Sequence, residues 1–287
     1  MVDLKEKIEQ ALWILKECRL CPRECRVNRL KDEKGECKTG RWAVVSQASP
    51  HFGEEPELVG RYGSGTIFFS YCNLHCCFCQ NYSISQLGEG KILKSEEIAE
   101  LMLYLQGVGC HNINLVTPTH IVPQILEALL IARRRGLKIP IVYNSGGYES
   151  IETLRLLEGV VDIYMPDAKY SNDNALKYSQ APNYWEVNKK ALLEMHRQVG
   201  DLVIEGGIAK RGLLIRHLIL PNRLAGSFEI LKFIAEKLSK NSYVNIMDQY
   251  YPSYKAFSYP ELSRRITTEE YKEVVDFAKR IGLHRGF

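Results

Sequence analysis

Six short runs rich in β-branched and aromatic residues recur between residues 66 and 248, and a helix-periodic segment follows each. The runs are 66–72, 113–117, 139–144, 161–166, 213–220 and 243–248. The helical stretches lie near 95–106, 122–135, 150–158, 184–199, 227–239 and 268–281. Strand–helix alternation of this kind predicts an α/β chain with a parallel sheet and crossover helices. Eight such units close a barrel in about 250 residues. Six units predict a partial, open (β/α)6 TIM-like barrel. A flat doubly wound sheet is the other arrangement the alternation allows.

The chain before residue 63 reads differently. Residues 3–17 form one amphipathic pattern, with Leu4, Ile8, Leu12 and Leu15 on one side. Residues 18–62 are punctuated by Cys, Gly and Pro and show little periodicity. The expected division is therefore 1–62, a helix with a small Cys-rich metal-binding module, and 63–287, a core domain.

Charge and hydropathy exclude several classes. Thirty-eight basic and 34 acidic residues leave a net charge of +4, too mild to imply nucleic acid. No apolar run approaches the roughly 18 residues of a membrane helix. The longest candidate, 121–132, is broken by Pro123, Gln124 and Glu127. The N-terminus lacks the compact apolar region of a signal peptide, so a cytoplasmic location is expected.

Nine cysteines are present, and eight fall in two clusters. In a reducing compartment such clusters are more often metal ligands than disulfides. The first is Cys18, Cys21, Cys25 and Cys37; the second is Cys72, Cys76, Cys77 and Cys79. Cys110 and Cys77 read as small buried side chains, the usual fate of a free cysteine.

Polar clusters sit at or near the end of every predicted strand: CNLHCCFCQN (72–81), TPTH (117–120), NSGGY (144–148), PDAKY (166–170), the Arg216–His217 pair with Asn222, and DQYYP (248–252). Parallel α/β folds build their sites on that edge. Strand-end loops are also polar for want of any other role.

Cys72-x3-Cys76-x2-Cys79 follows the first strand directly. Three thiolates on one tight loop can hold three irons of a 4Fe–4S cluster and leave the fourth open to a small chelating molecule, whereas four-cysteine ferredoxin sites close that position. Structural zinc would want a fourth ligand. Phe78, just before the last cysteine, can shield the cluster from water.

This C-x3-C-x2-C motif, an aromatic before its last cysteine, resembles the radical S-adenosylmethionine (SAM) superfamily. The string GRYGSGTIFFSYCNLHCCFCQN, with YMPDAKY and NIMDQYYPSY, resembles the group related to pyruvate formate-lyase activating enzymes, the PflX-type group. The likeness spans residues 18–283. It implies a 4Fe–4S cluster on Cys72, Cys76 and Cys79 that takes one electron from a flavodoxin- or ferredoxin-like donor and passes it to bound SAM. Homolytic cleavage then gives methionine and a 5′-deoxyadenosyl radical, which removes hydrogen from a substrate. In the resembled activases that hydrogen belongs to a glycine of a partner glycyl-radical enzyme. Another peptide, a small molecule or RNA stays open as substrate, although the mild charge does not favour RNA.

The resemblance also assigns residues. Asp167 and Lys169 look like a D-x-K pair at the active site; a surface salt bridge is the plainer reading. Arg216, a charge inside an apolar strand, needs an anionic partner. By resemblance that partner is the SAM carboxylate, and an internal ion pair is the alternative. Phe78, Asn81, Asn144, Ser145 and Gly146 are further expected cofactor-binding positions. Many members carry a Gly-Gly-Glu-like segment after the second strand. Here Thr117, Thr119 and His120 stand in its place, and they are expected near the methionine end of SAM. His217 points opposite to Arg216 on a strand.

Cys18-x2-Cys21-x3-Cys25-x11-Cys37 fits tetrahedral zinc or an auxiliary iron–sulfur cluster, or four reduced thiols without metal. The Gly63-x-Gly65 pair precedes its strand, so it is no phosphate loop. No G-x-S-x-G elbow supports hydrolysis. A non-catalytic iron–sulfur electron carrier is the rival from another class, and it leaves six polar strand ends without a role.

Overall fold

A computed structural model describes residues 2–287. Its strands are β1 (Ala43–His51), β2 (Ser64–Phe69), β3 (Lys91–Leu93), β4 (Ile113–Val116), β5 (Ile141–Ser145), β6 (Ile163–Pro166), β7 (Val203–Glu205), β8 (Ile208–Leu218) and β9 (Tyr243–Met247). Six of them, β2, β4, β5, β6, β8 and β9, pair in that order, each parallel to the next. β2 and β9 do not pair with each other, so the sheet is an open barrel, as six units predict.

Each crossover helix arises from an apolar stripe at helical spacing. Helix Ser95–Gly107 buries Ile98, Ala99, Met102 and Leu105 on one side. Helix Thr268–Arg280 starts at a reciprocal cap. The Thr267 hydroxyl accepts the Glu270 N–H at 3.2 Å, and the Glu270 carboxylate accepts the Thr267 N–H at 2.9 Å. The N-terminal helix Val2–Ile14 packs on helix Val122–Arg134. Its Leu4, Ile8 and Ala11 join the main core between sheet and helices. None of the described helices is long and apolar enough to cross a membrane.

Three strands lie outside the periodic pattern. β1 occupies a stretch that reads as loop. It pairs antiparallel with β2, and β3 pairs with β1. The string AVVSQASPH buries only Ala43 and Val45 fully. Its extended form comes from pairing to the edge of β2 rather than from its own alternation. β7 makes a hairpin with the first residues of β8, on the side that β9 takes further along.

Alternation along the strands sets what faces inward. Val142, Ile163, Met165 and Leu214 meet Leu58 in a compact apolar plug inside the sheet. One step further on, the inward positions turn polar at Asn144 and Arg216. Tyr143, Tyr164 and Ile215 face the helices instead.

His217 also takes the helix side and is fully buried. Its Nδ1 lies 2.6 Å from the Ala168 carbonyl oxygen and its Nε2 lies 2.8 Å from the Ser227 hydroxyl. The neutral ring satisfies both, donating to the carbonyl and accepting from the hydroxyl. Burial lowers its pKa to about 4. The unfolded chain protonates near pH 6.5 and the folded one resists, so this contribution is whole above about pH 6.5 and drains as pH falls toward 4. About 2–3 kcal/mol should be lost by pH 4.5. Urea unfolding at pH 7 and pH 4.5 should show a smaller loss for His217→Gln than for wild type; equal losses would refute this.

Candidate active site

The cleft lies at the carboxyl ends of the parallel strands and encloses ≈ 240 Å³. Cys72, Cys76 and Cys79 border it together with Phe78, Asn81, Thr117, Asn144, Ser145, Gly146, Asp167, Lys169 and Arg216. Five separate strands or their loops thus deliver the expected residues to one place.

The cysteine loop is fastened to the short helix Asn174–Ser179 after β6 and to the loop after β5. Backbone N–H groups of His75 and Cys77 donate to the carbonyls of Ser179 and Tyr178 at 3.0 and 2.7 Å. The Asn73 amide donates to the Tyr148 carbonyl at 2.7 Å. Three sulfurs are met by polar neighbours: Cys72 by the Leu74 N–H at 3.3 Å, Cys76 by the Ser179 hydroxyl at 3.0 Å, and Cys79 by the Ser85 hydroxyl at 3.1 Å. Cys77 turns away into an apolar cluster with Phe78 and Tyr250, as a small buried side chain would. The Phe78 ring sits edge-on to Tyr250 and Tyr170, so aromatic rings back the loop on that side.

Burial pushes the Cys72 and Cys76 thiols up, and at Cys76 the Lys169 ammonium opposes this. Thiolates here need nearby positive charge, which iron would supply. Among the described residues no three His, Cys, Asp or Glu side chains converge on a point as the ligands of a single ion do. The three cysteines line one cleft, and their number and softness fit an iron–sulfur cluster, which they would hold there.

An ion network crosses the floor. Lys169 Nζ donates to Asp167 Oδ2 at 2.6 Å, and Arg216 Nε donates to Asp167 Oδ1 at 3.0 Å. Arg216 also donates to Asn144 Oδ1 at 2.8 Å and lies 3.6 Å from Glu54. Burial works against the Asp167 carboxylate, but the Arg216 and Lys169 cations outweigh it and hold the group below its usual range. Burial likewise opposes charge on Lys169, and Asp167 beside it reverses the effect and raises its pKa. All three therefore stay charged. Arg216 was expected to meet the SAM carboxylate; in the structure its guanidinium is taken up by protein partners, the internal ion pair.

The Asn144–Tyr148 loop is locked to Asp167. Asn188 Nδ2 donates to the Gly147 and Asp167 carbonyls at 2.9 and 3.0 Å. Tyr184 Oη lies 2.9 and 3.0 Å from the Gly146 and Asp167 carbonyls and accepts the Lys169 N–H at 3.0 Å. Gly147 has φ +70°, and a Cβ there would lie 2.1 Å from the Asp167 oxygen. Gly147→Ala should therefore cost roughly 2–5 kcal/mol through strain and overlap. A thermal midpoint equal to wild type would contradict this.

Thr117 has φ +61°, a strained setting for a β-branched residue, and its N–H donates to the Asn144 carbonyl at 2.9 Å. Thr119 and His120 are not brought to the cleft. The 3-10 turn Thr119–Ile121 sends both side chains into the interior. Thr119 donates to Glu149 Oε1 at 2.6 Å, and His120 Nε2 lies 3.0 Å from the Ser70 carbonyl oxygen.

Several site residues had no sequence signal. Ser179 and Ser85 reach the cysteine sulfurs from distant or short helical turns, and Glu54 reaches Arg216 from the β1–β2 connection. Gln249, by contrast, lines the cleft from a polar strand end that periodicity does reveal. Away from the cleft, Cys18, Cys21, Cys25 and Cys37 line one small cavity with Arg29 and His120.

Residues 66–205 match the radical SAM superfamily. The chain is 35% identical, over 99% of its length and 80% of the relative's, to the uncharacterized protein MJ0674 of Methanocaldococcus jannaschii. It is 25% identical, over 88% of its length and 78% of the relative's, to the uncharacterized protein MJ0808 of the same organism. Among solved structures, anSMEcpe with bound AdoMet and a peptide aligns with TM-score 0.52 at 11% identity, covering 75% of this chain and 60% of that one. HydG, a maturase of the FeFe-hydrogenase, aligns with TM-score 0.52 at 14% identity, covering 74% of this chain and 48% of that one. At such identities the likeness is one of fold.

Proposed function

Since the chain belongs to the radical SAM superfamily, we propose that it cleaves SAM reductively and uses the radical to remove hydrogen from a polypeptide glycine, as a glycyl-radical activase. The observation that carries the reading is that three cysteine sulfurs border the same cleft as the polar ends of the parallel strands. When bound, the cluster and SAM supply the one-electron chemistry that makes a 5′-deoxyadenosyl radical.

The chain's own residues bind, orient and exclude water. Cys72, Cys76 and Cys79 hold the cluster, and Ser179 and Ser85 donate to its thiolates. Lys169 keeps a positive charge near Cys76, which stabilises thiolate. Asn144, Ser145 and Gly146 present polar and backbone groups for SAM, with Thr117 and Asn81 beside them. Phe78 keeps solvent from the loop. Asp167 and Arg216 fix the floor on which these groups stand. Thr119 and His120 lie buried behind the cleft, bonded to Glu149 and to the Ser70 carbonyl.

The electron donor in this reading is flavodoxin- or ferredoxin-like. A second metal at Cys18, Cys21, Cys25 and Cys37 belongs to the same reading. The activase role draws on the likeness of GRYGSGTIFFSYCNLHCCFCQN and YMPDAKY to the activating enzymes. Anaerobically reconstituted protein with SAM and dithionite should release 5′-deoxyadenosine. With a glycyl-radical partner carrying α-deuterated glycine, deuterium should enter that product and a radical should remain on the partner. Deuterium drawn from another residue or molecule overturns the activase role; a cluster that reduces without any cleavage favours an electron carrier.

A further inference from the structure

Four cysteines and one cation share an enclosed space beside the N-terminal helix. Cys18, Cys21, Cys25 and Cys37 line it with Arg29 and His120. Cys18, Cys21 and Cys37 are buried. Arg29 is 1% exposed, an unusual place for a guanidinium. Its Nε donates to the Gly40 carbonyl at 3.0 Å and its Nη1 to the His120 carbonyl at 2.6 Å, with Nη1 also 3.9 Å from Cys18 Sγ. Its Nη2 is buried with no partner. No described carboxylate pairs with it. A buried cation without a carboxylate calls for another anion, and four thiolates around a metal provide one.

We propose that Cys18, Cys21, Cys25 and Cys37 bind a second 4Fe–4S cluster, fully ligated by the four cysteines, with Arg29 offsetting part of its negative charge. This rests on the reading of a second metal given above and names its kind. The four cysteines line one enclosed cavity together with Arg29. A main-chain N–H also points at one of them, from Glu36 to Cys25 Sγ at 3.3 Å, the kind of contact that tunes iron–sulfur clusters.

Position favours a redox-active group over a structural ion. Cys37 and Cys72 border the same crevice, with His75 between a carboxylate and an amide there. His75 Nε2 lies 3.0 Å from Glu36 Oε1, and its Nδ1 lies 3.2 Å from Gln86 Oε1. One cysteine of the N-terminal site and one of the cleft site therefore border a single crevice.

The test is metal content after anaerobic reconstitution with iron, sulfide and zinc offered together. Wild type should carry about eight irons and eight sulfides per chain, with no zinc, as two cubanes require. The Cys72→Ala/Cys76→Ala/Cys79→Ala variant should keep about four of each, on an untouched N-terminal site. Cys21→Ser/Cys37→Ser should keep the four at the cleft. If that variant fails to fold, the triple variant still reads the N-terminal site. One zinc and no iron in the triple variant overturns the cluster, and no metal at all overturns the site. Loss of the cleft cluster alone would show as four irons in wild type and four in the triple variant, so the two failures are distinguishable. With both clusters reduced, the wild-type spin-resonance signal should differ from the sum of the two variants. A simple sum would overturn the link between the two sites across that crevice.

Discussion

Alanine at position 76 should leave the protein folded and reduce 5′-deoxyadenosine release below detection. Cys76 is small and buried, and its replacement removes one sulfur from a loop fastened by backbone hydrogen bonds. The loss should exceed about 100-fold, the upper range for losing a supporting group around a metal. Ser179→Ala provides the internal scale. It removes the hydroxyl that donates to Cys76 Sγ at 3.0 Å, and it should cost roughly 10–100-fold while leaving the iron count intact. Release by Cys76→Ala at a tenth of the wild-type rate would dismiss this sulfur as a ligand.

Arg216→Met should lower stability by roughly 3–5 kcal/mol, the cost of stranding buried carboxylates. Asp167 would keep only Lys169, and Glu54 would lose its nearest cation. Burial already pushes the Glu54 carboxyl up, with Arg216 pulling it back, so without the guanidinium Glu54 should hold a proton more readily. Adding Asp167→Asn should return part of the loss, because the two charges stabilise each other. Arg216→Lys should not substitute, since one ammonium cannot reach both Asp167 and Asn144 as the planar fork does. Denaturant unfolding measures all three. An Arg216→Met protein as stable as wild type would remove the network from the framework of the site.

The parallel core was legible because each buried strand and each amphipathic helix carries its own period. All six strands and the six helices that follow them fall within a few residues of where the pattern puts them. β1, β3 and β7 were not legible. Each is extended through pairing with a neighbour, which leaves a weak local trace. At the site, the cysteine spacing and the strand-end clusters were readable, and most of those residues do meet. Thr119 and His120 were misplaced because a single 3-10 turn, invisible to periodicity, reverses their direction. Glu54 and Ser179 were missed because they arrive from far along the chain, and no spacing rule spans such gaps.

The neighbours Arg216 and His217 carry a further consequence. They take opposite sides of β8, one charged toward the polar floor and one neutral against Ser227. A slip of β8 by one residue would exchange them. The guanidinium would then enter the helix-side core that holds Leu231, Ile215 would turn to the cleft, and the imidazole would face Asp167. Burying that charge without a partner costs several kcal/mol, far more than a misplaced Leu would. The same pair that shapes the cleft floor thus proofreads the pairing of the sheet: a misthreaded strand is rejected by its charge before any cofactor could report the error.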